Sequence, residues 1–407
     1  MNRKKIGLLH GAILNSGDFL IFHRGKQLLQ EYLSSEYELV DIRRWEPFSE
    51  ELDALVILGG PIISRGLHKQ SKNIKDHLKK DVPVVCLGLG VSGERYSVEE
   101  DYFTRESAEF WKRVYESSHL FSVRDKKTQR ILSHYGIDAE FTGCPALYDL
   151  DMIKNRRLTR EYVPTMEYVP DETPLNRKVA VTIPHIRLEK NPIYILIGIR
   201  NFIYTLLFIR QLKTIKCSSD PINHDSQSKQ GNITPDNKTP DNKNSDNKNS
   251  DNKNSDNKTP DLLLILQHGY TPPLRLIGRY AEHSGFRVLD TSYRGLDEVE
   301  ELRDASFHIG TRLHCHMFFL SLGKPSYLLS VDNRTRAFLG NFQVESENYS
   351  PGGIRRLITR FKEELDNPDA QEIMVRMLST EIMTLFGDME DFLIRVDEFL
   401  KENLKNS

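Results

Sequence analysis

The chain has 407 residues, 38% of them hydrophobic, which is enough for two or three domains with sizeable cores. Its formal net charge is −2 with both signs mixed along the chain, which argues against a nucleic-acid-binding protein, since that would carry a basic face. The four cysteines (Cys86, Cys144, Cys217, Cys315) are scattered without a C-x-x-C pair, so no zinc site or disulfide framework is expected, no metal site is legible, and a reducing cytosol is the natural compartment.

The opening residues, MNRKKIGLLHGAIL, start basic but lack a long apolar core and a small-residue cleavage site. They read as a first strand over residues 6–10, not as a signal peptide. The loop Asn15-Ser16-Gly17-Asp18 then opens a helix over 19–33, with Leu20, Leu28, Leu29 and Leu33 at helical spacing. Strand, glycine-containing loop and helix together make a generic site for an anionic or polyhydroxyl ligand. The plainer reading makes Ser16 or Asp18 an N-cap and Gly17 a tight turn. A strand covers 38–42, and a buried one over 54–58 ends in Gly59-Gly60-Pro61, where paired glycines let ligand or backbone approach closely. The next buried strand, 84–87, ends in Gly88-x-Gly90-x-x-Gly93, the spacing of the dinucleotide fingerprint. That fingerprint belongs to a first βα unit with an acidic residue about twenty positions on, and this context is not evident here.

Helices over 106–117 and 126–135 flank Ser122-Val123-Arg124-Asp125, where Arg124 and Asp125 read as a local ion pair at a helix start; Gly136 closes the second helix. Beyond about residue 150 the chain turns polar and proline-bearing, an interdomain linker over 151–177. A second domain opens with a strand over 178–183, with His185 and Arg187 just past its end. Residues 192–212 approach the length of a membrane span, but Arg200 and Asn201 lie at the middle. A central arginine is penalised by about 3 kcal/mol in a bilayer, so the segment reads as a buried helix of the second domain, with docking on a membrane surface as the minority alternative. From Asp236 to Pro260 the pentad Asp-Asn-Lys-x-Ser/Pro repeats five times, and residues 218–260 hold almost nothing apolar. Such a tract cannot offset its ordering entropy and is expected to be a disordered insertion.

A strand over 262–266 ends at Gln267-His268-Gly269, and a helix, a strand and a helix follow over 272–284, 286–290 and 296–304. The strand 306–309, helix 313–322, Gly323-Lys324-Pro325 turn and strand 326–331 then form a βαβ unit, which implies a parallel sheet with ligands at the carboxyl ends of its strands. Thr311, Arg312 and His314 stand after the first of these strands, and Asp332, Arg334 and Arg336 after the second. Guanidinium forks grip carboxylate and phosphate bidentately, so the two clusters suit a small, multiply charged anion. Residues 352–403 are helical by periodicity and read as a cap on one or both domains.

Gly310-Thr311-Arg312-Leu313-His314, Gly323-Lys324-Pro325 and the tail through Arg334, Arg336 and Phe338 resemble the signature of the polysaccharide pyruvyl transferases. Asn15-x-Gly17-Asp18 and the run from Ser122 through Cys144-Pro145-Ala146-Leu147 match further blocks of that family. Pro61 stands where the family has a third glycine, and Cys144 where it has an aspartate. The resemblance implies an α/β fold of two Rossmann-like parallel-sheet domains facing a cleft, as in B-type glycosyltransferases, with a C-terminal helical segment. Residues 1–150 would form the acceptor side, 178–340 the donor side and 341–407 the helices. The implied reaction moves a pyruvyl group from phosphoenolpyruvate, a co-substrate with no added cofactor, to hydroxyls of a sugar in a cell-surface or exopolysaccharide precursor, forming a pyruvate ketal. Arg312, Arg334, Arg336, Arg187 and His268 would bind the donor, and Asn15, Gly17, Gly59 and Gly60 the acceptor. His314 would be the general acid and Asp18 the base. The expected partners are phosphoenolpyruvate and a sugar or lipid-linked saccharide, with no nucleic acid. The expected place is the cytoplasm, with peripheral contact at the inner face of the membrane. Rival readings are a nucleotide-sugar-dependent glycosyltransferase, a non-catalytic glycan-binding protein, and an interaction protein organised by the repeat tract.

Overall fold

The computed structural model describes residues 3–46, 51–66, 71–92, 99–160, 177–186, 192–215, 260–269, 271–342, 347–365 and 367–404. Arg187, Cys217 and the repeat tract lie outside these residues.

Apolar runs with short turns dictate strands buried on both faces, the pattern of parallel sheets covered by helices. The first sheet takes β1 (Lys4–His10), β2 (Tyr37–Arg43), β3 (Ala54–Ile63), β4 (Val84–Val91), β5 (Phe121–Val123) and β6 (Glu140–Phe141), in the order β2-β1-β3-β4-β5-β6. Its helices are α1 (Ser16–Tyr32), α2 (Ser71–Leu78), α3 (Arg105–Glu116), α4 (Lys126–Ser133) and α5 (Leu150–Arg160), so the start of the expected linker is helical. The second sheet takes β7 (Lys178–Thr182), β8 (Asp261–Leu266), β9 (Arg287–Asp290), β10 (Phe307–Gly310), β11 (Ser326–Ser330) and β12 (Glu347–Asn348), in the order β12-β11-β10-β7-β8-β9. Around it lie α6 (Pro192–Leu212), α7 (Pro272–His283), α8 (Glu300–Arg303), α9 (Leu313–Ser321), α10 (Asn333–Leu339) and α11 (Pro351–Leu365). All the described strand pairings are parallel. The architecture is therefore α/β, with two Rossmann-like sheets facing a cleft and a C-terminal helical segment. Strand order reverses direction between β1 and β3 in one sheet and between β7 and β10 in the other. Those switch points are where such sheets bind ligands.

The two halves share one apolar core. Leu20, Leu28 and Leu29 of α1 belong to the same buried cluster as Phe318 and Phe319 of α9. The 37-residue α12 (Pro368–Leu404) returns from the second sheet and adds Phe386, Met389 and Phe392 to that cluster. It is tied to the first half by Tyr32 Oη donating to Glu390 (2.7 Å) and by Asp397 accepting from Ser34 N (2.9 Å).

Three sequence expectations need correction. β3 and β4 run on through their glycines instead of ending there; β3 absorbs Gly59 and Gly60 with a register shift, and Gly88 and Gly90 stay inside fully buried β4. Gly88 and Gly90 of the dinucleotide spacing thus lie within a strand and not in a phosphate loop, and Gly93 lies outside the described residues. A Cβ on Gly88 would lie 2.6 Å from Pro145, and one on Gly90 would lie 2.0 Å from Arg124, so the glycines give clearance to protein atoms. The third correction concerns α6, which is only partly buried: Ile199 is 47% and Ile203 49% exposed.

Candidate active site

A cleft of about 560 Å³ opens between the sheets, lined from the first half by residues including Asn15, Asp18, Trp45 and Arg124, and from the second by His268, Arg312, His314 and Arg334. Asn15, Arg124, His268 and Arg312 each follow the carboxyl end of a parallel strand and precede a helix, and Trp45 lies in the turn after β2. Asn15 caps α1 by accepting from Gly17 N (3.4 Å), Asp125 caps α4 by accepting from Thr128 N (2.7 Å), and Asp332 caps α10 by accepting from Thr335 N (3.1 Å). Helix N-termini therefore face the cleft from both sheets, adding partial positive charge to that of the arginines.

Arg312 sits at the β7/β10 switch point. Its Nε donates to Ile183 O (2.9 Å), and Thr182 Oγ1 accepts both the Thr311 and the Arg312 backbone N–H (3.1 and 3.2 Å). With both acceptor positions filled, the Thr182 hydroxyl donates to His308 Nε2 (2.8 Å). His308 Nδ1–H then donates to Ser326 Oγ (2.7 Å), whose own proton goes to His316 Nδ1 (2.7 Å). This buried chain fixes the Arg312 backbone. Gly310 is required beside it, because a Cβ there would lie 2.2 Å from Thr182 Oγ1.

His314, in the first turn of α9, crosses the cleft to the first half, where a Cβ on Gly17 would lie 2.3 Å from its Nδ1. Its Nε2 is buried and makes no hydrogen bond. Burial first, then the guanidinium groups of Arg124, Arg334 and Arg312, push its pKa down to about 3, with Asp332 opposing. A pKa so far below neutrality favours the uncharged imidazole at pH 7. Asp18 is shifted the other way: burial raises its carboxyl pKa, while Arg44, Asn15, Arg334 and Arg124 partly offset the rise. Burial also tends to raise the Asp332 pKa, but the charge and hydrogen bonds of Arg334, with Thr335, outweigh it and hold the carboxyl below its ordinary value.

Of the residues expected from sequence, Asn15, Asp18, His268, Arg312, His314 and Arg334 line this cleft together, and Gly17 packs beneath His314. Arg336 points elsewhere: it is exposed and donates to Asn348 Oδ1 (3.1 Å), because α10 turns its side chain away from the cleft. Gly59 and Gly60, at φ +40° and +76°, do not line the cleft either. They sit against Arg44, whose Nη2 donates to the Leu58 and Gly59 carbonyls (2.9 and 2.5 Å). Sequence reasoning set aside Arg124 as a local ion pair. It does pair with Asp125 (3.3 Å), yet it also lines the cleft and sets the field at His314. Arg44 and Trp45 were missed, since nothing in a short motif marks them.

Two facing parallel sheets with an arginine-lined cleft at their switch points define an α/β protein built to hold an anionic ligand between its sheets. The profile of the polysaccharide pyruvyl transferases matches residues 15–333, and the chain belongs to that family. No curated protein matches it. UDP-GlcNAc 2-epimerase from Neisseria meningitidis, bound to UDP-GlcNAc, is similar with a TM-score of 0.52 at 11% identity, over 99% of this chain and 100% of that one. A putative UDP-N-acetylglucosamine 2-epimerase from Listeria monocytogenes gives 0.52 at 10% identity, over 92% and 91%. The MnaA–UDP structure from S. aureus gives 0.50 at 10% identity, over 91% and 90%. At such identities the likeness is one of fold.

Proposed function

We propose that the enzyme transfers the pyruvyl group of phosphoenolpyruvate to two hydroxyls of a sugar in a surface-polysaccharide precursor, releasing phosphate and leaving a cyclic ketal. The observation that carries this reading is the convergence of Arg124, Arg312 and Arg334 around an unpartnered, buried His314 Nε2. Phosphoenolpyruvate brings a carboxylate and a phosphate, and Arg312 and Arg334 take them. Burial and the guanidinium field together keep His314 neutral; the donor's carboxylate and phosphate, set beside the ring, stabilise its charged form against both, so the imidazole gains a proton as the donor binds. His314 then delivers that proton to C3 while an acceptor hydroxyl adds to C2 and gives its proton to Asp18, a stronger base than an ordinary carboxylate because its pKa is raised. The C2–O bond breaks, phosphate leaves with the bond's electron pair and takes the Asp18 proton, and the second hydroxyl closes the ketal at C2 as its proton passes to His314. Trp45, 56% exposed on the cleft lip, offers an indole face for the acceptor sugar.

Phosphate release from phosphoenolpyruvate, measured with and without lipid-linked and nitrophenyl sugars, tests this. Acceptor-dependent release that falls at least about a hundredfold in His314→Ala is expected. Full turnover in a folded His314→Ala would remove His314 from the reaction. Consumption of a nucleotide sugar, with phosphoenolpyruvate leaving the melting temperature unmoved, would replace the reading with glycosyl transfer.

A further inference from the structure

Helix α6 is divided between core and solvent. Thr205, Phe208, Ile209 and Leu212 are buried with the second sheet and α11, and Thr205 Oγ1 bonds the Tyr349 hydroxyl (2.8 Å). The opposite stripe faces water: Leu196 is 68% exposed, and Tyr194, Ile195, Ile199 and Ile203 join it. Helix α7 packs beside α6 on the same sheet face, burying Leu274, Ile277 and Ala281 and leaving Leu276 (58%) and Tyr280 exposed. The two apolar stripes therefore look the same way. Exposed Arg200 and Arg210 on α6, and Arg275 and Arg279 on α7, stand among them. There is no acidic residue in α6, and the single one in α7 is Glu282 near its end.

Large apolar side chains in water, flanked by guanidinium groups with almost no counter-charge, are what an interfacial helix offers to an anionic bilayer. Helix α6 is long and apolar enough to cross a membrane. Crossing, however, would pull Phe208, Ile209 and Leu212 out of the core and place Arg200 in hydrocarbon. Lying on the surface avoids both. We propose that the α6–α7 face docks on an anionic membrane surface. Asn201, next to Arg200 on the same helix, lines the cleft, so docking brings the cleft mouth beside the lipid headgroups. Delivery of a lipid-linked acceptor at that mouth rests on the pyruvyl-transfer reading; the docking itself does not.

The test is co-sedimentation of the full chain with vesicles of mixed phosphatidylglycerol and phosphatidylcholine, beside vesicles of phosphatidylcholine alone. The protein is expected to pellet with the mixed vesicles only and to be released by salt. Leu196→Asp with Ile199→Asp, and separately Arg275→Glu with Arg279→Glu, should each weaken vesicle binding at least about tenfold. Melting temperature, and turnover of a soluble acceptor, should stay as in the parent. A parent protein that remains in the supernatant with both vesicles, or variants that bind as well as the parent, would overturn the proposal. So would a dimer in solution that Leu196→Asp dissolves without any vesicle binding, which would assign the face to a second copy of the chain. Vesicle binding is read without turnover, so failure of the reaction assignment leaves this result standing.

Discussion

Gly17 and His314 come from opposite halves of the molecule, yet the imidazole occupies the space that a Cβ at residue 17 would fill. Gly17→Ala should therefore displace the ring while leaving the core intact. We expect kcat to fall about tenfold or more with little change in melting temperature, as a misplaced catalytic group predicts; unchanged kcat would break the link between Gly17 and His314. Protonation gives a second expectation at this scale. Burial holds His10 at about 4 and His316 at about 3, burial with the nearby guanidinium groups holds His314 at about 3, and His308 is also held below its ordinary 6.5. Below about pH 6.5 the unfolded chain binds protons that the folded one refuses, so stability falls as pH drops toward 4. A melting temperature that declines steadily between those values is expected, and a flat profile would contradict the burial of these rings. Arg312 and His314 were legible because they sit two residues apart in a short motif. Arg124 was half legible: its clearance depends on Gly90, 34 positions away in sequence, and only tertiary packing brings the two together.

The loops after β7 and β10 are held as one element by Thr182. Its hydroxyl accepts two backbone N–H groups and donates to buried His308, so Thr182→Val leaves the Arg312 N–H and His308 Nε2 without that partner, while the Thr311 N–H keeps its bond to Thr182 O (3.2 Å). We expect about 1–3 kcal/mol of lost stability and a raised KM for phosphoenolpyruvate, with Thr182→Ser restoring both. A change in stability alone, with KM untouched, would make Thr182 structural and not a positioning residue. Trp45 belongs to the short turn after β2, and Trp45→Ala should raise the acceptor KM while leaving donor affinity unchanged. Most strands and helices could be read from apolar runs and helical spacing, because most of them bury an apolar face. The misreadings cluster where glycine appeared to end a strand. In β3 the chain continues because the positive φ of Gly59 and Gly60 turns their backbone toward Arg44, a contact that no local rule foresees. The burial of α6 was misjudged for a related reason: apolar composition sets what a helix prefers, not whether enough protein exists to cover it.

At the scale of the whole molecule, the seam between the halves is core, not a loose hinge. Arg24 of α1, only 1% exposed, donates to Ala146 O (2.6 Å), to Ser321 Oγ of α9 (2.7 Å) and to Asp149 Oδ2 (3.1 Å). Arg24→Met should destabilise the protein by about 3 kcal/mol, because Asp149 would lose its buried partner. Both halves should melt together in one calorimetric transition, and two resolved transitions would contradict the shared core. That rigidity holds Asp18 and His314 in one cleft, where the proposed chemistry takes place. Calorimetric titration of phosphoenolpyruvate in buffers of different ionisation enthalpy reads both donor binding and the proton that His314 is proposed to take up. Saturable binding with uptake of a proton, abolished in Arg312→Ala and lost as uptake alone in His314→Ala, is the predicted result. Absence of binding, or binding without proton uptake in the parent protein, would contradict it.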